Sequence, residues 1–163
     1  MKKILPFIPA FIGGMLTMIL IMFTVMPKVM PNMMINEHKS KLSYEDTISK
    51  INEKLKEKKW EIVSIHDVTE SLKKSGDLKM KKMTVILTYK HTFLYNIMKK
   101  DSFKKFTAMM PAGIGVYQKN DNNTYISLRN VKLMGRLFRQ GVAETTQSVS
   151  TDWTDVIKEV INK

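Results

Sequence analysis

The residues whose types could do chemistry are few and scattered. His38, His66 and His91 do not show the close spacing that lets two imidazoles share a metal from one helix or turn. His66 is followed by Asp67 in the run SIHDV. A base beside a carboxylate is one ingredient of proton transfer, but at a strand end such a pair more commonly caps a turn or meets solvent. Gly113 and Gly115 in PAGIGVY lack the third glycine of a dinucleotide fingerprint and lead into a strand, which fits close backbone packing or a bulge. Asn122-Asn123-Thr124 satisfies the glycosylation pattern, which matters only in a eukaryotic secretory pathway. There is no cysteine, so neither a disulfide framework nor a thiolate metal site can form. Soft ligands come instead from Met26, Met30, Met33 and Met34, with His38 nearby, and thioethers favour Cu(I). Met30, Met33, Met34 and His38 are therefore the metal candidates, and copper is the one cofactor that the residues suggest. The chain uses 14 methionines freely, including Met15, Met18 and Met22, so the same segment also reads as flexible apolar packing.

Those residues need elements to hold them. In SYEDTISKINEKLKEKK, Tyr44, Ile48, Ile51 and Leu55 recur at helical spacing, with Ser43 and Asp46 placed to cap the start. WEIVSIHDV (60–68) is rich in β-branched residues and reads as a strand, TESLKKSG as a short helix stopped by Gly76, and KMKKMTVILTYK (79–90) as a strand. Met83, Val85, Leu87 and Tyr89 share one face of that strand. The run MMPAGIGVYQKNDNNTYISLRN (109–130) reads as a hairpin, because its apolar alternation is interrupted by NDNN, whose residues tolerate left-handed conformations. Trp153, Val156, Ile157, Val160 and Ile161 then follow helical spacing after a capping Thr151. The expected fold is α+β in two layers, with helices packed on one face of a largely antiparallel sheet.

Ahead of this domain, residues 4–26 carry no charge. Those 23 residues would span roughly 34 Å as a helix, enough for a hydrocarbon core of about 30 Å. The stretch is longer than a signal-peptide apolar region and no small-residue cleavage site follows it, so an uncleaved transmembrane anchor is expected. Residues 1–3 form a short tail, 27–34 a methionine-rich linker, and 35–163 the domain. A short amino-terminal tail places the domain outside the cytoplasm. The domain holds all 15 acidic and 24 of the 27 basic residues, a net +9. Much of the excess is local, and Lys73, Lys74, Lys79, Lys81 and Lys82 form a surface that could rest on anionic lipid or simply stay solvated. Beside a membrane, lipid is the more plausible contact and nucleic acid an unlikely one.

The order MMINEHKSKLSYEDTI, a Trp-started strand ending at His66 and Asp67, TVILTYKH, AMMPAGIGVYQK, TYISLRN and LMGRLF resembles the membrane-tethered branch of domain-of-unknown-function family 302. The resemblance covers about residues 33–160 and implies a compact α+β domain, commonly a homodimer, in a prokaryote. It implies no established activity. It also implies cysteines where this chain has Tyr89 and Ala112, and a Gly-Gly pair where it reads Arg139-Gln140-Gly141. Thiol chemistry at those positions is closed to this chain.

The expected function is that of a membrane-anchored binding or accessory module in a prokaryotic cytoplasmic membrane, more a binder than an enzyme. Tyr89, Met110, Ala112 and Tyr117, with His66, are the candidate ligand-binding residues around an apolar pocket with a polar rim. The partner is a small molecule or a protein, alongside the bilayer itself. A Cu(I) or redox-associated factor is the second reading, and an enzyme using His66 and the 109–130 hairpin the third.

Overall fold

The computed structural model describes residues 7–76, 80–137 and 143–161. The chain divides into two compact units, Met1–Met34 and Ile35–Lys163.

In the first unit α1 (Phe7–Thr24) is followed after a break at Val25 by α2 (Met26–Met34). No single described helix is long and apolar enough to cross a membrane, but residues Phe11–Thr24 of α1 and α2 pass that test together as a pair bent by 51°. Pro27 accounts for the bend, since it offers no N–H to the carbonyl four residues back and its ring crowds that turn. The segment expected as a linker is thus helical, and it carries a second proline, Pro31, within it.

In the second unit five strands form one antiparallel sheet in the order β1-β5-β4-β3-β2. They are β1 (Ile35–Lys39), β2 (Glu61–Asp67), β3 (Met83–Tyr89), β4 (Ala112–Gln118) and β5 (Thr124–Arg129). Alternation decides which side chains turn inward. Thr84, Ile86 and Thr88 of β3, Ile114 and Val116 of β4, and Thr124, Ile126 and Leu128 of β5 are buried. On that face lie α3 (Tyr44–Glu57) and α7 (Ala143–Ile157), which contribute Tyr44, Ile51, Leu55, Trp153, Val156 and Ile157 to the same core. Met83, Val85, Leu87 and Tyr89 do share a strand face, the half-buried one opposite the helices.

The local signals explain most element ends. Ser43 caps α3 by accepting from the Asp46 amide at 3.2 Å. Asp67 does the same for α4 (Val68–Ser75) through the Glu70 amide at 2.9 Å. The hairpin turn holds Asn122 at φ 59°, a left-handed conformation that asparagine tolerates. Thr151 starts no helix, because α7 begins eight residues earlier at Ala143. Between β3 and β4 the chain adds α5 (His91–Met98) and a 3₁₀ helix (Asp101–Met109), and after β5 comes α6 (Val131–Leu137).

Helices α6 and α7 meet where Gly135 faces Thr146. A Cβ on Gly135 would lie 1.9 Å from Thr146 Oγ1 and 2.8 Å from Thr146 Cβ, so glycine permits the approach. Gly135→Ala is expected to lower stability by about 1–3 kcal/mol through overpacking. Adding Thr146→Ala should recover only part of the lost melting temperature, because it removes the Oγ1 contact and leaves the Cβ contact at 2.8 Å. A single variant that melts like the parent would show that α6 and α7 do not approach this closely.

Candidate functional site

At one end of the sheet, the chain leaves α3 through Lys59 at φ 59°, and the Trp60 amide donates back to the Leu55 carbonyl at 2.8 Å. This left-handed helix end turns Trp60 into the core, where only 5% of it stays exposed. Its Nε1 donates to Asp152 Oδ2 of α7 at 3.0 Å, and Lys90 Nζ, just past β3, donates to the same oxygen at 2.7 Å. Lys90 also sits over the Phe93 ring at 4.9 Å. Trp60 meets Phe93 edge-on at 5.7 Å and Trp153 at 5.9 Å. The charged pair and three aromatic rings join β2, β3, α5 and α7.

Beside this cluster lies an apolar cavity of about 120 Å³. It forms where two hydrophobic clusters meet: the main core, including Trp60 and Trp153, and a smaller one built on Ile97 and Phe103 with Phe106 and Met110 packed against it. The small residues Thr88 and Ala112, paired across β3 and β4, line it and leave space that larger side chains would take. Both tryptophans of the chain line it.

Its polar groups are few. Lys90 is held by Asp152. Arg129, at the end of β5, also lines the cavity and donates through Nη2 to the carbonyls of Met109 at 2.9 Å and Pro111 at 3.4 Å. Among the described residues no carboxylate forms an ion pair with it, and burial pushes its pKa below the ordinary guanidinium value. Trp153, 2% exposed, has a buried Nε1–H without an acceptor.

Three of the five ligand-binding candidates, Tyr89, Met110 and Ala112, border this cavity. The Met110–Pro111 peptide beside it is cis. Burial, then the Glu61 carboxylate, push the Tyr89 phenol above its usual range, which disfavours it as a nucleophile at neutral pH. Tyr117 and His66 are placed elsewhere: Tyr117 stacks on Tyr125 at 6.2 Å, and His66 Nε2 meets Ser71 Oγ at 3.2 Å. His91, not His66, neighbours this end of the sheet, with its Nε2 2.7 Å from Glu61 Oε2 and its ring 5.0 Å from Tyr89. Trp60, Lys90, Arg129 and Trp153 were not singled out as site residues by spacing. The available signal was that the chain's two tryptophans each begin or anchor an element next to polar residues.

The methionine candidates fall on α2, where Met30, Met33 and Met34 are exposed. His38 belongs to β1 of the other unit, opposite Ile126. Among the described residues no three His, Asp or Glu side chains converge as a metal site. Of the lysines, Lys73 and Lys74 close α4, with Lys74 3.0 Å from Glu70. Lys81 meets Asn122 at 2.6 Å and Lys82 pairs with Glu45. Lys79 and residues 139–141 lie outside the described residues.

These features define a class: a two-layer α+β domain with an antiparallel sheet and an aromatic cavity at one end of its covered face. The chain belongs to the family described as Domain of unknown function DUF302, whose model matches residues 36–161. It is similar to the crystal structure of an uncharacterized conserved DUF302 protein from Bacillus stearothermophilus, with a TM-score of 0.69, 16% identity, and coverage of 78% of this chain and 98% of that one. At that identity the likeness establishes the fold. No curated protein matches the chain.

Tyr117 takes part in a network that ties the hairpin to β1. It donates to Glu37 Oε1, Lys119 pairs with Glu37 Oε2 at 2.6 Å, and Lys119 lies 4.1 Å from the Tyr125 ring centre. Tyr125 donates to Asp121 at 2.8 Å, and the Asn123 amide donates to Asp121 at 3.0 Å. The Asn123 side chain and amide, then the Tyr125 hydroxyl, lower the Asp121 pKa from 3.8 to about 2. Since the folded value is depressed, the charged form is favoured by folding. Its contribution is present above the unfolded value and is lost as pH falls through the folded one. The melting temperature of the wild type minus that of Asp121→Asn is therefore expected to be positive at pH 6 and to shrink between about pH 4 and about pH 2. A difference independent of pH would contradict the assignment.

Proposed function

We propose that this chain is a membrane-anchored binding module that holds a small molecule in the cavity at the end of its sheet, and does not catalyse a reaction there. The observation that carries this reading is the cavity itself: an almost wholly apolar, aromatic-walled space of the kind that takes up small apolar molecules. The surface facing it is made of rings, methyl groups and aliphatic chain, a set suited to binding more than to nucleophilic attack. Where the resemblance implies thiols, Ala112 faces the cavity from the covered side of the sheet whereas the Tyr89 side chain leaves β3 on the opposite face, so in a relative with cysteines at both places only the one at the Ala112 position would offer its thiol to this space.

The anchor rests on α1 and α2. Their exposed side chains are overwhelmingly apolar, and Thr17 and Thr24 each donate a hydroxyl to the carbonyl four residues back, at 2.9 and 2.7 Å. That pattern satisfies polar side chains within hydrocarbon. In this reading the domain stands outside the cytoplasm of a prokaryotic cell, with Lys73 and Lys74 available to anionic lipid.

One preparation tests both parts. Carbonate-washed membranes are expected to retain the full-length chain. Native mass spectrometry of protein released from them should show a small-molecule adduct that is absent from Ala112→Phe, whose ring occupies the cavity. A mature amino terminus near residue 30 contradicts the anchor. An adduct-free parent, or an adduct that survives Ala112→Phe in a folded variant, contradicts the binding site.

A further inference from the structure

The chain between β3 and β4 has two sides of opposite character. Ile97 of α5 and Phe103 of the 3₁₀ helix are buried, with Phe106 and Met110 packed against them. The outward side instead exposes Tyr95, Lys99, Lys100, Lys104 and Lys105, and Asp101 is the one carboxylate between residues 91 and 109. Both ends of the segment are held. Lys90 is 2.7 Å from Asp152 at the first, and Arg129 Nη2 donates to the carbonyls of Met109 and Pro111 at the second. The outer face therefore stands on a fixed support.

Most of the charge on that face is unanswered. Asp101 lies 2.5 Å from Lys104, while Lys99, Lys100 and Lys105 form no ion pair among the described residues. Lys100 is 5.6 Å from the Phe103 ring centre, a contact that adds no counter-charge. The lysines of the α4–β3 region differ, because Lys74 lies 3.0 Å from Glu70, Lys82 pairs with Glu45 and Lys81 meets Asn122 at 2.6 Å. A second observation separates the segment from a merely solvated lysine surface. Tyr95, one helical turn before Lys99, is 70% exposed, the most exposed large apolar side chain among the described residues of the second unit. Tyrosine with flanking lysine is a pairing that suits the boundary between lipid and water.

We propose that the outer face of residues 95–105 docks on anionic lipid, with Lys99, Lys100 and Lys105 on headgroup phosphates and the Tyr95 ring at headgroup level. Lysine meets phosphate as a mobile point charge, which suits a fluid array of headgroups. Nucleic acid fits this face less well, since residues 91–109 contain no arginine and one exposed ring is a poor stacking platform. Each lysine held near such a membrane contributes roughly fivefold in affinity, so three supply about a hundredfold. This inference rests on the chain being anchored in a membrane, and it goes beyond the contact by Lys73 and Lys74.

The absence of cysteine makes a single introduced thiol a unique label. Full-length Ser102→Cys and, for comparison, Ser75→Cys beside Lys73 and Lys74 carry an environment-sensitive fluorophore in nanodiscs of phosphatidylcholine, alone or mixed with phosphatidylglycerol. The label at 102 should move to a less polar environment only with phosphatidylglycerol, and the label at 75 should change much less. In the background of Lys99→Glu, Lys100→Glu and Lys105→Glu the response at 102 should vanish with the melting temperature kept, and Tyr95→Ala should weaken it. High salt should abolish it, because exposed charges are screened. Should the charge-reversed variant fail to fold, a response that salt leaves unchanged overturns the electrostatic assignment. A response confined to the label at 75, or none with phosphatidylglycerol at either place, overturns the proposed face. An equal response at 102 to single-stranded RNA added to phosphatidylcholine discs assigns the face to nucleic acid instead. A chain that does not enter the discs contradicts the anchor alone, and the label at 102 is then read against vesicles of the same two lipid compositions, with the same outcomes.

Discussion

A single carboxylate oxygen, Asp152 Oδ2, accepts from the Trp60 indole at 3.0 Å and from the Lys90 ammonium at 2.7 Å. The side chains of Lys90 and Asp152 are 20% and 18% exposed, so solvent screens the pair only partly. Loss of one member would leave a charge poorly compensated, and that penalty exceeds the net worth of the bond itself. The three residues come from α7, from the start of β2 and from the end of β3, segments far apart in the chain. By fixing all three at one point, the contact sets the angle of the Trp60 ring, and with it the positions of Phe93 and Trp153. The cavity's aromatic walls depend on this arrangement, while Ile51, Leu55, Ile86, Ile114 and Val156 fill the rest of the core without a gap of similar kind, each at 0% exposure.

The same geometry separates two tasks. Along most of the sheet, β-branched side chains from β3, β4 and β5 pack against α3 and α7 and supply stability. At the Trp60 end the strand residues become small, Thr88 and Ala112, and α5, the 3₁₀ helix and α6 take the place of α3 beside α7. Space appears where packing passes from the main core to the minor one. A binding site at that seam can vary without dismantling the sheet, which is consistent with a fold shared at 16% identity with a DUF302 protein from Bacillus stearothermophilus.

Elements with strong periodic signals were legible in the sequence, and those set by tertiary contact were not. Tyr44, Ile51 and Leu55 announced α3, and the alternation of β3 and of the 112–129 hairpin announced the sheet centre, because one face of each is buried against a single layer. Strand β1 carries the exposed pattern INEHK and depends on β5 for its definition. Helices α5 and α6 are short and mixed in pattern. Helix α7 starts at Ala143, in a run of Ala, Thr, Gln and Ser with little apolar periodicity, so Thr151 looked like its beginning. At the site, Tyr89, Met110 and Ala112 were reachable from the hairpin and strand pattern. Arg129 was hidden because one arginine at a strand end gives no sign of the Met109 and Pro111 carbonyls it meets, and Trp153 because helical spacing marks it as core without saying what its Nε1 meets. Tyr117, chosen for its place near the glycines, points into the Glu37 and Tyr125 network by strand alternation.

The central claim is that the space beside Trp60 and Trp153 is open in the folded protein and can hold an occupant. A crystal structure of the full-length chain under xenon pressure tests it directly, since apolar cavities of this size take up xenon. The account predicts one xenon bordered by Trp60, Ala112 and Trp153, with the Asp152 contacts to Trp60 and Lys90 intact. A structure in which the Trp153 ring or the Met110 side chain fills that volume and excludes xenon would contradict it.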